Sequence, residues 1–313
     1  MNGLQLAREY YETYGKQMLE DNFKDYLPFI SVGLAGSGSE VLGFDDEISK
    51  DHDFEPGFCI FIPGENIIDR KAAFSLERAY AKLPSEFKGF TRQKINPAGG
   101  TRHGVIRLED FLTEKIGNPE GKLSVYEWLK IPTQYLLEVT RGELFFDGDK
   151  KFTKIREELS LMPRDIRLKR LAGHLLMMSQ SGQYNFTRMC KRGEWAAAGI
   201  CVYEYAKNAI ASIYLLNNEY MPYYKWQLRG LKELDILSEL ALPIEFLLTA
   251  PNEESYVNEK IERMELTAGA VIEELISQGI TEAICGDLTK HAYSVNDYVN
   301  DGDLRNLNIL SGV

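Results

Sequence analysis

The stretch Phe29-Ile30-Ser31-Val32-Gly33-Leu34-Ala35-Gly36-Ser37-Gly38-Ser39-Glu40, followed by Lys50-Asp51-His52-Asp53 and then Phe58-Cys59-Ile60-Phe61-Ile62, decides how this chain is read. Phe29 to Ala35 is a short apolar run ending in small residues, the pattern of a buried strand entering a tight turn. Small residues after such a strand let the backbone approach an anion closely, and a following helix would point its free amides at that anion. Asp51 and Asp53 stand two apart. On a strand both carboxylates would project from one face, close enough to share metal ions, while His52 would turn the other way into the core. Magnesium takes one or two carboxylates together with phosphate oxygens and water. Alone, a Gly-Ser-Gly-Ser turn is most often just a turn, and an Asp-X-Asp pair is most often a solvated strand end or loop. Neither pattern is decisive by itself.

Outward from this stretch, Leu4, Ala7, Tyr11, Tyr14 and Met18 recur at helical spacing, so an amphipathic helix over Leu4 to Leu19 precedes the strand. Phe58 to Ile62, before Pro63-Gly64, reads as a second buried strand, Ile67 to Leu83 as a helix, and Gly104 to Leu108 as a third strand. This alternation predicts an α/β layer, a small mixed sheet with helices. From about Phe152 onward the spacing is helical. Pro163-Arg164-Asp165 opens one helix and Glu194 to Leu216 forms a long one. Pro222 separates it from a helix over Tyr224 to Leu240, and another covers Glu253 to Gln278. The expected organisation is an α/β domain over residues 1–148 and an all-α helical domain over 149–313, divided at the turn-forming Asp147-Gly148-Asp149.

Composition narrows the function classes. A chain of 313 residues with 44% hydrophobic and 27% charged residues has the make-up of a soluble globular protein. The net charge of -11, with no Lys/Arg run, provides no basic footprint for a nucleic-acid backbone, so a polymerase or general nucleic-acid binder is disfavoured. A nucleotide remains compatible, since magnesium carries phosphate charge. Cys59, Cys190, Cys201 and Cys285 are scattered without zinc-site or disulfide spacing and read as buried reduced thiols. The N-terminal stretch lacks the apolar core of a secretion signal and no run approaches membrane-spanning length, so no membrane partner and a cytoplasmic location are expected. Gly-x4-Gly-Lys-Ser/Thr, dinucleotide-fingerprint and Gly-x-Ser-x-Gly patterns are all absent. His52, His103, His174 and His291 are isolated from one another in the sequence and read as structural.

Gly36-Ser37 followed at this distance by Asp51-His52-Asp53 resembles the polymerase-beta-like nucleotidyltransferase superfamily, which includes aminoglycoside and lincosamide adenylyltransferases. The resemblance covers about Phe29 to Leu108. The second half resembles an uncharacterised bacterial family described only as a domain of unknown function. The shared words are Gly182-Gln183-Tyr184-Asn185, Arg192-Gly193-Glu194 and Tyr214-Leu215-Leu216-Asn217 to Pro222-Tyr223-Tyr224-Lys225-Trp226. The first resemblance implies that Gly36 and Ser37 hold the β- and γ-phosphates of a nucleoside triphosphate, taken as ATP, and that Asp51 and Asp53 bind Mg2+. An acceptor hydroxyl, on a small molecule or a protein, would then attack the α-phosphate in line and release pyrophosphate.

Two departures qualify this. Ser39-Glu40 stands where antibiotic-modifying relatives often carry arginine, and the nearest candidate for a third catalytic carboxylate, Glu109, also reads as an acid at the head of a helix. A non-catalytic nucleotide-binding or regulatory protein on the same fold is therefore the alternative reading. A triphosphate also needs cations beyond Lys50, so Arg188 and Lys225 are expected to bind nucleotide across a cleft between domains. Tyr184, Asn185 and Glu194 are expected toward the acceptor. Their competing readings are a surface pair (Arg188 with Glu194), a turn and helix cap (Tyr184, Asn185), and a solvated lysine (Lys225).

Overall fold

The computed structural model describes residues 1–51, 54–92 and 103–313, and for Lys50 and Asp51 the backbone alone. Its elements form two compact units, residues 1–123 with 135–160 and residues 124–134 with 161–313.

The first unit is mixed α/β. Strands β1 (Ser31–Leu34), β2 (Cys59–Ile62), β5 (Gly104–Arg107) and β6 (Glu143–Asp147) form one sheet in the order β5-β2-β1-β6, and β3 (Glu86–Phe87) and β4 (Phe90–Thr91) make a separate hairpin. β1 runs antiparallel to both neighbours, with Gly33 opposite Cys59 and Ser31 opposite Phe61, while β2 and β5 are parallel, Cys59 with Gly104 and Ile62 with Arg107. Alternation along the strands sends side chains to two faces. Val32, Ile60 and Ile62 join Leu19, Tyr10 and Tyr80 in a core beneath α1 (Gly3–Tyr10), α2 (Lys16–Asn22) and α4 (Arg70–Ala81). Phe61 turns the other way, edge-on to Phe111 of α5 (Leu108–Ile116) and Phe152 of α8 (Lys151–Leu159). The sheet thus has helices on both faces; its two central strands, β1 and β2, are buried throughout, and the outer strands β5 and β6 are largely half-buried.

The first helix runs where expected but takes a π turn at Tyr11–Gly15, where Gly15 lies against Phe58 and Tyr11. β6 has no counterpart in the expected sheet. It belongs there because Gly33 has no side chain: a Cβ on Gly33 would come 2.2 Å from the Glu143 carbonyl oxygen. Asp147-Gly148-Asp149 is the β6–α8 turn inside this unit, not a division between units. Buried Asp147 fixes it, accepting from the Ser31 hydroxyl (2.9 Å), the Thr153 amide (2.8 Å) and the Thr153 hydroxyl (2.5 Å).

The second unit is helical. It takes in α6 (Val125–Lys130) and the start of α7 (Thr133–Thr140), then α9 (Arg164–Met178), α10 (Thr187–Lys191), α11 (Trp195–Leu216), α12 (Gln227–Leu231), α13 (Ala241–Thr249), α14 (Val257–Ser277), α15 (Leu288–Asp297) and α16 (Gly302–Asn306). α9 and α10 are joined through an eight-residue π turn, Ser179–Phe186, in which Gly182 lies against the Tyr205 ring. The helix expected over Tyr224 to Leu240 is broken: a 3-10 turn leads into α12, and Leu237 takes φ 61°, a left-handed conformation that stops propagation. Buried Lys169 donates to Asn296 and to the Arg305 and Leu307 carbonyls, and buried Lys260 to Asn252 and to the Leu247 and Ala250 carbonyls, which explains two lysines inside a helical core. Of the cysteines only Cys59 is buried; the other three are half-buried, and none of the four is in a disulfide. No helix among the described residues is long and apolar enough to cross a membrane.

Candidate functional site

β1 delivers Gly36 and Ser37 to one edge of the sheet. Because β1 and β2 are antiparallel neighbours with Gly33 opposite Cys59, the end of β1 and the chain entering β2 share that edge. Asp51 closes a 3-10 turn, Ile48–Asp51, in this approach to β2. Asp51 is therefore in a turn and not on a strand, the condition under which it and Asp53 would share a face; the strand starts only at Cys59. The side chain of Asp51, and His52 and Asp53 entirely, lie outside the described residues.

The turn itself is tight. Gly36 and Gly38 have φ +108° and +152°, conformations that side-chain-bearing residues rarely adopt. The Gly36 amide is already engaged, donating to the Glu138 carbonyl at 2.8 Å, whereas Ser37 is exposed. α3 (Ser39–Leu42) is a single turn, stopped by left-handed Gly43. The Glu40 carboxylate folds back over Gly38: a Cβ there would meet its oxygens at 2.4 and 2.7 Å. The following loop is held by its acids. Asp45 accepts from the Gly3 amide at 2.7 Å, tying the loop to the head of α1, and Asp46 accepts from the Ile48 and Ser49 amides.

Glu109 does not join this edge. Ile62 pairs with Arg107, so Glu109, two residues on, lies at the end of the sheet where β1 begins. There Lys151 comes within 3.4 Å of Glu109 Oε1, while Oε2 is buried without a hydrogen-bond partner. At the Gly36 edge, Glu40 entered the sequence reading only as a departure from the family pattern, and Glu55 was passed over. Glu55 Oε1 lies 3.3 Å from His103 Nδ1, and His103 immediately precedes Gly104, the partner of Cys59. Nothing in the sequence marked Glu55, since its position at this edge follows from strand pairing. Among the described residues no group of three His, Cys, Asp or Glu is close enough to hold a metal, a set that excludes the Asp51 and Asp53 side chains.

Several cations of the unit are committed to its frame. Arg107 donates to the Pro63 and Ile68 carbonyls, Arg92 to those of Tyr80, Ala81 and Leu83, and Arg156 to those of Thr140, Arg141 and Gly142. Lys115 pairs with Glu114 and Glu138. Burial pushes the Cys59 thiol up to about 12, so it is a packing group and not a nucleophile.

In the helical unit, Tyr184, Asn185 and Arg188 lie on the π turn and α10, with the Arg188 guanidinium 4.8 Å above the Tyr184 ring. Glu194 is the exposed residue before α11 and makes no side-chain cap. Lys225 sits in the 3-10 turn beyond α11, its ammonium 5.1 Å from the Trp226 ring. Each cation is thus stacked within its own segment. Of the shared word Gly182-Gln183-Tyr184-Asn185, the first two residues have structural work: Gln183 bonds Glu265, the Gly286 carbonyl and the Leu288 amide.

Residues 128–227 match the model of a family described as a domain of unknown function, DUF4037. The match begins in α6 and ends at the first residue of α12, so it takes in β6 and α8 as well as much of the helical unit. No curated protein and no solved structure matches the chain.

Proposed function

We propose that the α/β unit is the centre of a magnesium-dependent nucleotidyltransferase, which moves a nucleoside monophosphate, AMP from ATP, to a hydroxyl of a small-molecule or protein acceptor and releases pyrophosphate. The observation that carries this reading is that the Gly36–Ser39 turn leaves β1 at the same end of the sheet at which the chain enters β2, the strand that follows the Asp51-His52-Asp53 stretch in sequence. Segment 40–55 adds seven carboxylates, Glu40, Asp45, Asp46, Glu47, Asp51, Asp53 and Glu55, against the single cation Lys50. Such a hard-oxygen donor set suits magnesium, and Asp51 and Asp53 would hold it. Bound there, magnesium would screen the charge that develops on the phosphate during in-line attack. The chain's own part is positional. The turn has no Cβ at Gly36 or Gly38 to keep phosphate away, and exposed Ser37 supplies a hydroxyl at its tip. Glu40 must leave Gly38 for a phosphate to seat against that glycine.

The alternative, a nucleotide-binding protein without transfer activity, draws its support from Glu109. With Glu109 at the opposite edge, a third carboxylate would have to come from Glu40 or Glu55. Incubating the full chain with magnesium, each nucleoside triphosphate and a pooled metabolite extract tests both. Pyrophosphate release that vanishes in Asp51→Asn is the expected result. Tight nucleotide binding without release under every condition would establish the alternative.

A further inference from the structure

A cavity of about 470 Å³ lies within the helical unit, walled by residues 129–134, α9, the second half of α11, the 219–227 turn and residues 312–313. That volume suits a metabolite-sized ligand. Its lining carries three cationic side chains, Lys130, Arg170 and Lys207, and one side-chain carboxylate, Glu219, besides the main-chain carboxylate of Val313. In a chain of net charge -11 this local sign is reversed.

Arg170 is the unusual member. It is only 8% exposed, and its Nη1 donates to the Trp128 and Ile131 carbonyls at 3.2 and 3.0 Å. Nε is sealed without a partner. Among the described residues no carboxylate pairs with this guanidinium, and Nη2, unlike Nε, is not sealed. Burial lowers its pKa to about 10, which leaves it charged at neutral pH. A buried charge is ordinarily matched by a counter-charge.

His174 stands four residues along α9, on the same face and also on the cavity wall. Its Nδ1 lies 2.8 Å from Asn208 Oδ1, while Asn208 Nδ2 donates to the Glu204 carbonyl at 2.7 Å. Asn208 Oδ1 is therefore the acceptor, the proton sits on Nδ1, and Nε2 keeps a free lone pair. Burial and the nearby Arg170 and Lys207 keep the imidazole neutral. Leu129 and Leu215 supply apolar wall between these groups.

The geometry points to a binding site for a small hydroxylated organic anion, a carboxylate or a phosphate monoester, whose charge meets Arg170 and Lys207 and whose hydroxyl donates to His174 Nε2. Apart from residues 312 and 313, every cavity-lining residue falls inside the DUF4037 match, and the inference stands independently of nucleotidyl transfer.

The test uses the full chain with ¹⁵N-labelled histidine, His174 being assigned by the signal lost in His174→Gln. Ribose 5-phosphate and malate are titrated as probes, with spermidine as the cationic control. Either anion is expected to shift the His174 ring signals saturably, with a Kd of about 1 mM or tighter. The tighter of the two identifies phosphate or carboxylate as the preferred charge. Arg170→Met could fail to fold, because Nη1 also bridges two carbonyls, so half-exposed Lys207 carries the decisive variant. Lys207→Glu, which reverses the charge and also ends the 3.9 Å pair of Lys207 with Glu204, should weaken binding about tenfold or more while moving the melting temperature little, that pair being solvent-exposed. No saturable shift with either anion, an affinity unaltered by Lys207→Glu, or equal binding of spermidine at His174 would overturn the proposal.

Discussion

The acid-rich edge of the sheet and the cation-lined cavity of the helical unit are opposite in sign and opposite in construction. The first is contiguous: its turn and its seven carboxylates fall between Gly36 and Glu55, and the sheet needs only to bring the two ends of that segment to one edge. The second is convergent, assembled from residues between Leu129 and Val313 that only helix packing brings together. A site written in one short segment can be read before the fold is known. A convergent site has no local signal, and its charge is hidden by the acidic balance of the whole chain.

That contrast can be broken in order of expected effect. Gly33→Ala acts on the sheet alone. Its Cβ would meet backbone of β6 at 2.2 Å, so the strand pair must part, at a cost of about 3 kcal/mol or more. Trp128, Trp195 and Trp226 all belong to the helical unit. Thermal unfolding followed by far-UV circular dichroism should therefore shift while tryptophan fluorescence shifts less; equal shifts would show that the two units unfold as one. Next, Asp51→Asn and Asp53→Asn should each lower pyrophosphate release roughly a hundredfold, about 3 kcal/mol of barrier, with the melting temperature held. Undiminished release in both variants would remove the acid edge from the chemistry.

Acid should act first on the helical unit. Burial lowers His174 from 6.5 to about 4. Between those values the unfolded chain takes up a proton that the folded one refuses, so stability is complete above pH 6.5 and falls as pH drops toward 4. The loss amounts to about 3 kcal/mol at most. Denaturant midpoints followed by tryptophan fluorescence should fall across that window, and His174→Gln should flatten the slope; an unchanged slope would refute the assignment. Smallest of all, Arg188→Ala and Lys225→Ala should alter stability by no more than about 0.5 kcal/mol, both being exposed. The same variants should lower nucleotide affinity by up to roughly tenfold, as measured by calorimetry. Wild-type affinity in both would confine nucleotide binding to the α/β unit.

Three of the four sheet strands and the main helices were legible because their signals are local: apolar runs bounded by turn residues, or three-to-four-residue spacing. β6 was missed because Glu143-Leu144-Phe145-Phe146-Asp147 follows directly on α7 and ends in a turn cluster that looks like a domain boundary. Its place depends on Gly33, more than a hundred residues away. The break before Leu240 was hidden because left-handed Leu237 sits in a sequence with good helical spacing, and tertiary packing overrides that propensity. Within the candidate site the Gly-Ser turn was legible from residue type. Glu109 was not, since deciding which end of the sheet it occupies requires knowing that β5 runs parallel to β2.

The interleaving of the two units also has a consequence for synthesis. A ribosome releases α6 and the residues up to 134 before β6, so the sheet lacks its edge strand while the first piece of the helical unit is already exposed. No guanidinium donates to the Trp128 and Ile131 carbonyls of that piece until Arg170 emerges. The α/β unit can be completed at residue 160, before that bond is possible, which sets a vectorial order of assembly. Chain cut at residue 148 would lose α8 and with it the Thr153 contacts of Asp147, so a truncation that isolates the α/β unit must run to residue 160.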